Sequence, residues 1–310
     1  MNEFELIARL TKTLPANPTV VTGAGDDCAV LDFGLPDKLL LFKTDAVVEG
    51  VHFEKDTPPE KTGRKALARC LSDIAAMAGT PVAAVVTLGL PEHFKPETVG
   101  RIYDGLNALA KQQGVAVVGG ETTASPERIF ISVALLGTVR RGRQILRSTA
   151  HAGDAIFVTG ELGGSAAGRH LDFEPRLAEA RWLAQHFSVH AMIDLSDGLA
   201  GDLRHILKAS GVGAELLKSA IPISRAAREI ARKNPSGKTP AAAALSDGED
   251  FELLFTVTAG DAVRLLDAWK KHFPKLKLSC IGKTVAGEGI TLRDKTGAHK
   301  LDAHGYVHFA

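Results

Sequence analysis

Ile193-Asp194-Leu195-Ser196-Asp197-Gly198 places two carboxylates at the end of an apolar run and ahead of a glycine, the pattern of a strand that stops at a turn. Four more acidic clusters sit in related settings: Gly25-Asp26-Asp27, Lys43-Thr44-Asp45, Leu71-Ser72-Asp73 and Ser246-Asp247-Gly248-Glu249-Asp250. Any one of them reads equally well as a turn or a helix cap, because Asp, Ser and Gly are what turns and caps prefer. Five together read as one shared site. Carboxylates gathered in a cleft repel one another, and a hard cation such as Mg²⁺, with its demand for oxygen ligands, is what neutralises them.

A length of 310 residues predicts two domains, each able to bury its own core. With 37 Lys and Arg against 36 Asp and Glu the net charge is +1, which gives no electrostatic case for nucleic acid or an anionic membrane. Any phosphate binding is therefore local. Cys28, Cys70 and Cys280 are widely spaced and form no C-x-x-C pair, so neither a disulfide framework nor a zinc site is expected. The N-terminal Met1-Asn2-Glu3-Phe4-Glu5-Leu6 is acidic and shows no secretory pattern, which makes the cytoplasm the expected compartment. The uncharged run from Ile74 to Leu90 is broken by Gly79-Thr80-Pro81 and reads as a helix end followed by a buried strand, not a membrane span.

The periodicity predicts helices over Asn2–Leu10, Pro59–Met77, Pro96–Gln113, Pro175–Phe187, from after Gly198 through Leu207, and Asp261–His272. Strands are expected over Cys28–Asp32, Leu39–Phe42, Val82–Leu90, Val115–Val118, Ile129–Val139, Ala155–Thr159, Ala191–Ile193, Phe251–Val257 and Leu276–Ile281. Arg140-Arg141-Gly142-Arg143 marks a change in character, and the domains are placed at 1–143 and 144–310. No βαβ cadence of a doubly wound nucleotide-binding sheet is apparent.

Two glycine-lysine-threonine triplets, Gly237-Lys238-Thr239 and Gly282-Lys283-Thr284, lack the earlier glycine of a phosphate-binding loop, since Arg232 and Lys277 stand there. Gly23-Ala24-Gly25 likewise lacks the third glycine of a dinucleotide loop, and no G-x-S-x-G elbow is present. His52 follows Asp45 closely enough to reach the acidic site or to be a structural histidine. Arg147-Ser148 reads as a phosphate clamp or a solvated arginine, and Gly163-Gly164-Ser165 as an anion nest or a helix start.

Gly25-Asp26-Asp27-Cys28-Ala29, Thr44-Asp45 with Glu49-Gly50-Val51-His52-Phe53, and Leu71 to Met77 resemble, in that order, the thiamine-monophosphate kinase family. Gly119-Gly120-Glu121-Thr122, Arg147-Ser148, Asp194 to Leu199, Gly248 to Leu253 and Gly305-Tyr306-Val307-His308-Phe309 extend the resemblance over nearly the whole chain. It implies a two-domain fold of the aminoimidazole ribonucleotide synthetase type: an N-terminal α/β domain whose sheet pairs with its twin in a homodimer, a C-terminal α+β domain, and ATP in the cleft. It also implies transfer of a phosphoryl group from ATP to thiamine monophosphate, giving ADP and thiamine diphosphate.

By the same resemblance Asp27, Thr44, Asp45, Asp73, Glu121, Asp194 and Asp197 hold several Mg²⁺ ions. Tyr103, Gly120, Arg147 and Ser196 contact ATP, and His52, Glu249 and Tyr306 contact thiamine monophosphate. No general base is assigned, since a phosphate oxygen is already ionised at neutral pH and transfer rests on charge neutralisation and alignment. Lys43, Ala46, Glu121, Asp247 and Val307 depart from the usual residues, which are Ser, Thr, Asp, Gly and Asp. A related synthetase and a non-catalytic binding paralogue are the rival readings.

Overall fold

The computed structural model describes residues 3–302, 305 and 306; Asn2 of the expected first helix and Val307, His308 and Phe309 of the terminal signature lie outside the described residues. Helix α1 (Glu3–Thr11) opens the chain. Contacts divide the protein into two units, one of Pro18–Gln144 with Gly168–Ala178, the other of Met1–Asn17, Ile145–Ala167 and Glu179–Ala310.

The first unit carries β1 (Val20–Thr22), β2 (Ala29–Leu31), β3 (Lys38–Val48), α2 (Pro59–Ala76), β4 (Thr80–Leu90), α3 (Pro96–Gln113), β5 (Ala116–Ala124), β6 (Phe130–Arg140) and the short α4 (Arg169–Asp172). Proline at the first turn suits α2 and α3, where its missing N–H would have no partner in any case. The sheet runs β1-β2-β3-β6-β4-β5. All its neighbours are antiparallel except β4 and β5, which are parallel and joined through α3. That is one βαβ unit, not the regular cadence of a doubly wound sheet. A single crossover inside an otherwise antiparallel sheet leaves no repeating cadence to detect.

β3 and β6 pair without interruption from Lys38↔Arg140 to Val48↔Phe130, so side chains alternate faces along β3. Leu39, Leu41 and Val47 are buried on the face that also carries Lys43 and Asp45, whereas Phe42 and Thr44 are exposed on the other. α2 is buried along most of its length, including Lys65, Ser72 and Asp73. β5 continues through Gly119–Thr123, past the expected strand end at Val118. Segment 168–178 is tied to α2: Lys61 Nζ lies 2.6 Å from Asp172, and Arg64 donates to the Phe173 carbonyl at 2.7 Å and to Glu174 at 2.6 Å.

The second unit carries β7 (Asp154–Thr159), α5 (Leu177–His186), β8 (Val189–Asp194), α6 (Leu199–Ser210), β9 (Gly213–Leu217), α7 (Arg225–Lys233), α8 (Pro240–Ser246), β10 (Leu253–Thr258), α9 (Ala262–His272), β11 (Leu278–Val285), β12 (Ile290–Asp294) and β13 (Gly297–Lys300). Its sheet runs β13-β12-β9-β11-β7-β10-β8, with β12 and β9 the parallel pair. β7 is buried throughout and β10 nearly so. Ile156 and Val158 enter a core with Leu199, Leu203 and Ile206 of α6. Their neighbour Phe157 alternates to the other face and stacks on Phe255 at 5.6 Å. Trp269 of α9 meets Trp182 of α5 edge-on at 5.9 Å. The apolar runs at 155–159 and 253–257 are thus central strands covered on both faces. The remaining triplets are local structure, because Thr239 caps α8 by accepting from Ala242 N–H and Gly282-Lys283-Thr284 lies inside β11.

Candidate functional site

In the first unit the site is built between β3 and α2. Lys65, Arg69 and Asp73 fall at i, i+4 and i+8 on α2, one face of the helix, and all three meet polar groups of β3 or the turn after it. Lys65 Nζ donates to the His52 carbonyl at 2.5 Å and lies 2.7 Å from His170 Nδ1. Arg69 Nε is 3.9 Å from Asp45 Oδ2. Lys43 Nζ stands 3.0 Å from Asp73 Oδ1 and 3.9 Å from Asp45 Oδ1, bridging the two carboxylates. Burial pulls the Lys43 ammonium down, but Asp73 and Asp45 outweigh it and hold its pKa well above the usual value. Burial, then Asp73 and Asp27, pushes the Cys28 thiol well up; burial, then Asp45 and Asp73, does the same to Cys70. Both stay protonated and are no nucleophiles.

Asp27 is buried in the turn ahead of β2, and its N–H donates to Asp26 Oδ1 at 3.1 Å. Thr44 is not brought to Asp45: strand alternation sends its hydroxyl to the opposite face, 3.3 Å from the Ser132 hydroxyl. Glu121 is exposed on the edge strand β5 and folds back so that Oε1 accepts from Thr122 N–H at 3.2 Å. Beside it Gly120 is dictated by close approach, because a Cβ there would lie 1.8 Å from the Val86 carbonyl oxygen. Tyr103 is half-buried on α3. His52 Nδ1 accepts from Val48 N–H at 3.1 Å, which fixes the neutral ring as the Nε2–H tautomer.

In the second unit the acidic loop after β8 is held on three sides. Leu195 N–H donates to Glu252 O, Phe251 N–H to Leu195 O, and Glu249 N–H to Ser196 O at 2.7 Å; Tyr306 N–H donates to Asp197 O at 2.8 Å. Gly201 and Gly305 face each other so closely that a Cβ on Gly305 would meet the Asp197 carbonyl oxygen at 2.7 Å. Asp194 is buried where β8 pairs with Leu253, while Ser196 and Asp197 are half-buried. Glu249 and Phe251 are held at φ of 59° and 50°. Left-handed backbone in such residues costs on the order of 1–3 kcal/mol and marks sites where the surroundings over-determine the chain. Arg147 lies close enough to Asp202 to act on it electrostatically, and its carbonyl accepts from Ser210 Oγ at 2.9 Å.

Residues 25–139 match the AIR synthase related protein N-terminal domain, and residues 151–295 match the corresponding C-terminal domain. The chain is 40% identical over 299 residues to the thiamine-monophosphate kinase of Rhodopirellula baltica, covering 94% of this chain and 92% of that one. The chain belongs to the thiamine-monophosphate kinase family. The Bacillus subtilis family member is 33% identical over the full length of both chains. A solved structure of AaThiL complexed with AMPPCP and TMP superposes with a TM-score of 0.84 at 34% identity, covering 99% of this chain and 97% of that one.

Against the thiamine-monophosphate kinase pattern, two departures gain local explanations. Lys43 is an internal cation for Asp73 and Asp45. Asp247 accepts from Gly164 N–H at 3.2 Å and pairs with Lys238 at 2.9 Å. The Gly163-Gly164 turn is indeed an anion nest, but its occupants are the protein's own carboxylates, since Gly163 N–H donates to both oxygens of Asp250, at 2.8 and 3.1 Å. Three working residues were given no role of their own from the sequence. Asp202, in the first turn of α6, accepts from Asp197 and Gly198 N–H at 3.1 and 3.0 Å; burial, then Asp197 and Asp194, raises its carboxyl well above the usual range. An Asp in the first turn after Gly198 is itself a helix-start signal that could have found it. Asp250 and buried Glu252, whose Oε2 accepts from Thr159 Oγ1 at 2.7 Å, brace the loop instead of facing a ligand.

Proposed function

We propose that this protein transfers the γ-phosphoryl group of ATP directly to the phosphate of thiamine monophosphate, giving ADP and thiamine diphosphate for thiamine diphosphate biosynthesis. The observation that carries the reading is the locked assembly of Asp194-Ser196-Asp197 with the Glu249 loop and Tyr306, in a chain that covers 92% of the R. baltica kinase. Backbone hydrogen bonds set these groups in place before substrate arrives, and positioning is most of what phosphoryl transfer asks of a protein.

The oxygen donors of Asp27, Thr44, Asp45, Asp73, Glu121, Asp194 and Asp197 suit Mg²⁺ by their hardness. Bound there, the ions would neutralise and align phosphate oxygens. Tyr103, Gly120, Arg147 and Ser196 are our ATP contacts, and Arg147 brings a guanidinium whose fork matches a phosphate. His52, Glu249 and Tyr306 are our contacts for thiamine monophosphate; the His52 ring is oriented by Val48 N–H on its Nδ1. In the division of labour we infer, residues 1–143 bind nucleotide and metal and pair two subunits, and residues 144–310 complete the site. Pairing is supported by Phe42 and Val85, each more than two-fifths exposed on the six-stranded sheet. Three unpaired thiols support a cytoplasmic location. Among the described residues no helix is long and apolar enough to cross a membrane.

The test is chromatographic detection of thiamine diphosphate from purified protein, ATP and thiamine monophosphate, with and without Mg²⁺. Mg²⁺-dependent product is expected. The Lys43 bridge favours one rival, a binding paralogue, which would raise its melting temperature with nucleotide and yet release no ADP.

A further inference from the structure

A second constellation of ligand-type side chains stands apart from every residue assigned above. His151, Asp154 and His190 bring one ligand atom each to within 4.8 Å of one another. Asp154 is the first residue of β7, paired with Thr258 of β10. His190 belongs to β8 on the other flank of β10, at a register shift: Thr256 opposes Ala191 and Val257 opposes Val189, leaving His190 as the extra residue. A bulge re-aims the side chain it carries. Here it lets the imidazole reach across β10, so that His190 Nδ1 lies 2.9 Å from each oxygen of Asp154. His151 arrives from the loop before β7, its Nδ1 3.2 Å from His190 Nδ1 and the two rings edge-on at 4.7 Å.

The hydrogen bonds in this cluster do not close. Nδ1 of a histidine carries at most one hydrogen. If that hydrogen is on His190, both oxygens of Asp154 and the lone pair of His151 Nδ1 converge on it; if it is on His151, the His190 lone pair faces a carboxylate. Asp154 Oδ2 also accepts from His151 N–H, but one proton on His190 Nδ1 cannot point at both Asp154 Oδ1 and the His151 Nδ1 lone pair. A metal ion in its place binds all of them at once. The spacing fits, because metal–nitrogen bonds of about 2.0–2.1 Å place neighbouring ligand atoms about 2.9 Å apart in an octahedron and about 3.3 Å apart in a tetrahedron.

We infer that His151, Asp154 and His190 form a site for one transition-metal ion of the Zn²⁺, Co²⁺ or Ni²⁺ class, distinct from the all-oxygen site proposed for Mg²⁺. Two imidazole nitrogens and one carboxylate select borderline ions over Mg²⁺, which takes oxygen ligands. Three protein ligands leave an open position, as in sites that keep water or an exchangeable ligand. The ligands are oriented from behind: His151 N–H donates to Asp154 Oδ2 at 2.8 Å, Asp154 N–H to Thr284 Oγ1 at 2.9 Å, and Thr284 Oγ1 to the His151 carbonyl at 2.5 Å. Thr149 Oγ1 donates to the His190 carbonyl. Such outer partners commonly fix metal-binding histidines. The ion staples the loop that follows Arg147 to β8, the strand that delivers Asp194. Its role is to stiffen that loop.

The experiment is Co²⁺ titration of tag-free, chelator-stripped full-length protein in excess Mg²⁺, reading visible d–d absorption and bound Co²⁺ at equilibrium. Wild type is expected to bind about one equivalent more than His151→Ala or His190→Gln, with an absorption band that both variants lose, and to gain thermal stability with Co²⁺ that neither variant gains. His151 is exposed, and Gln at 190 keeps a donor for Asp154, so both variants should match the wild-type melting temperature in chelator. Equal Co²⁺ stoichiometry and spectra in all three proteins, or no Co²⁺ bound by wild type, overturns the site.

Discussion

Lys43→Met deletes the ammonium that stands between Asp73 and Asp45 while keeping most of the side-chain volume. At an effective dielectric of about 20, charges 3.0 and 3.9 Å apart attract by about 5.5 and 4 kcal/mol. That gross figure is offset by desolvation of a half-buried ammonium packed against α2. The direction of the Lys43 pKa shows that attraction prevails over burial. Removing one partner of such a pair costs about 3–5 kcal/mol, because the other carboxylate is left without its cation. For a unit of this size that is a fall of roughly 6–20 °C in melting temperature, at about 2–4 °C per kcal/mol. Mg²⁺ should return much of it, since the ion can replace the lost charge, so the gain on adding Mg²⁺ should be larger in Lys43→Met than in wild type. Scanning calorimetry of both proteins in chelator and in Mg²⁺ measures this. A variant that melts within about 2 °C of wild type in chelator, or shows no larger Mg²⁺ gain, refutes the view of Lys43 as an internal counter-ion.

Asp250→Ala strips Gly163 N–H of both its acceptor oxygens and should destabilise the second unit by about 1–3 kcal/mol in urea unfolding; an unfolding midpoint equal to wild type would refute the nest as a structural clamp. His52→Ala and Tyr306→Ala should lower kcat/KM for thiamine monophosphate by about tenfold or more with little change in the KM for ATP, as steady-state kinetics will show; a defect confined to ATP would reject their assignment. Glu121→Asp should retain turnover and Glu121→Ala should shift the Mg²⁺ titration upward; an alanine variant with unchanged metal dependence would make Glu121 a strand residue only. Arg141 holds the Asp32 carboxyl down at about 2 through a side-chain hydrogen bond. The stabilisation is therefore present above the ordinary carboxylate pKa of 3.8 and is lost as pH falls toward 2, and NMR titration of Arg141→Gln should show the Asp32 pKa moving back up toward 3.8.

The sequence by itself determined where the chemistry-bearing groups and most elements lie along the chain. Residues 96–113 are a helix in both readings, and the strands at 80–90, 130–140 and 154–159 were legible within two residues, because apolar period and proline or glycine punctuation act over a few neighbours. The acidic clusters were legible for the same reason, as was the family, since its motifs are local strings. What the tertiary structure alone decided is which side chain meets which. Thr44 and Asp45 are adjacent in sequence yet lie on opposite faces once β3 pairs with β6. Asp250 lies next to Glu249, which was assigned to substrate, but turns instead into a nest 87 residues away along the chain. Lys43 finds Asp73 only when α2 packs on β3, and Gly305 is required only where it meets Gly201. Register and helix packing are collective properties of many weak contacts between distant segments, so a hydrogen bond or ion pair across them leaves no mark in either segment's own sequence.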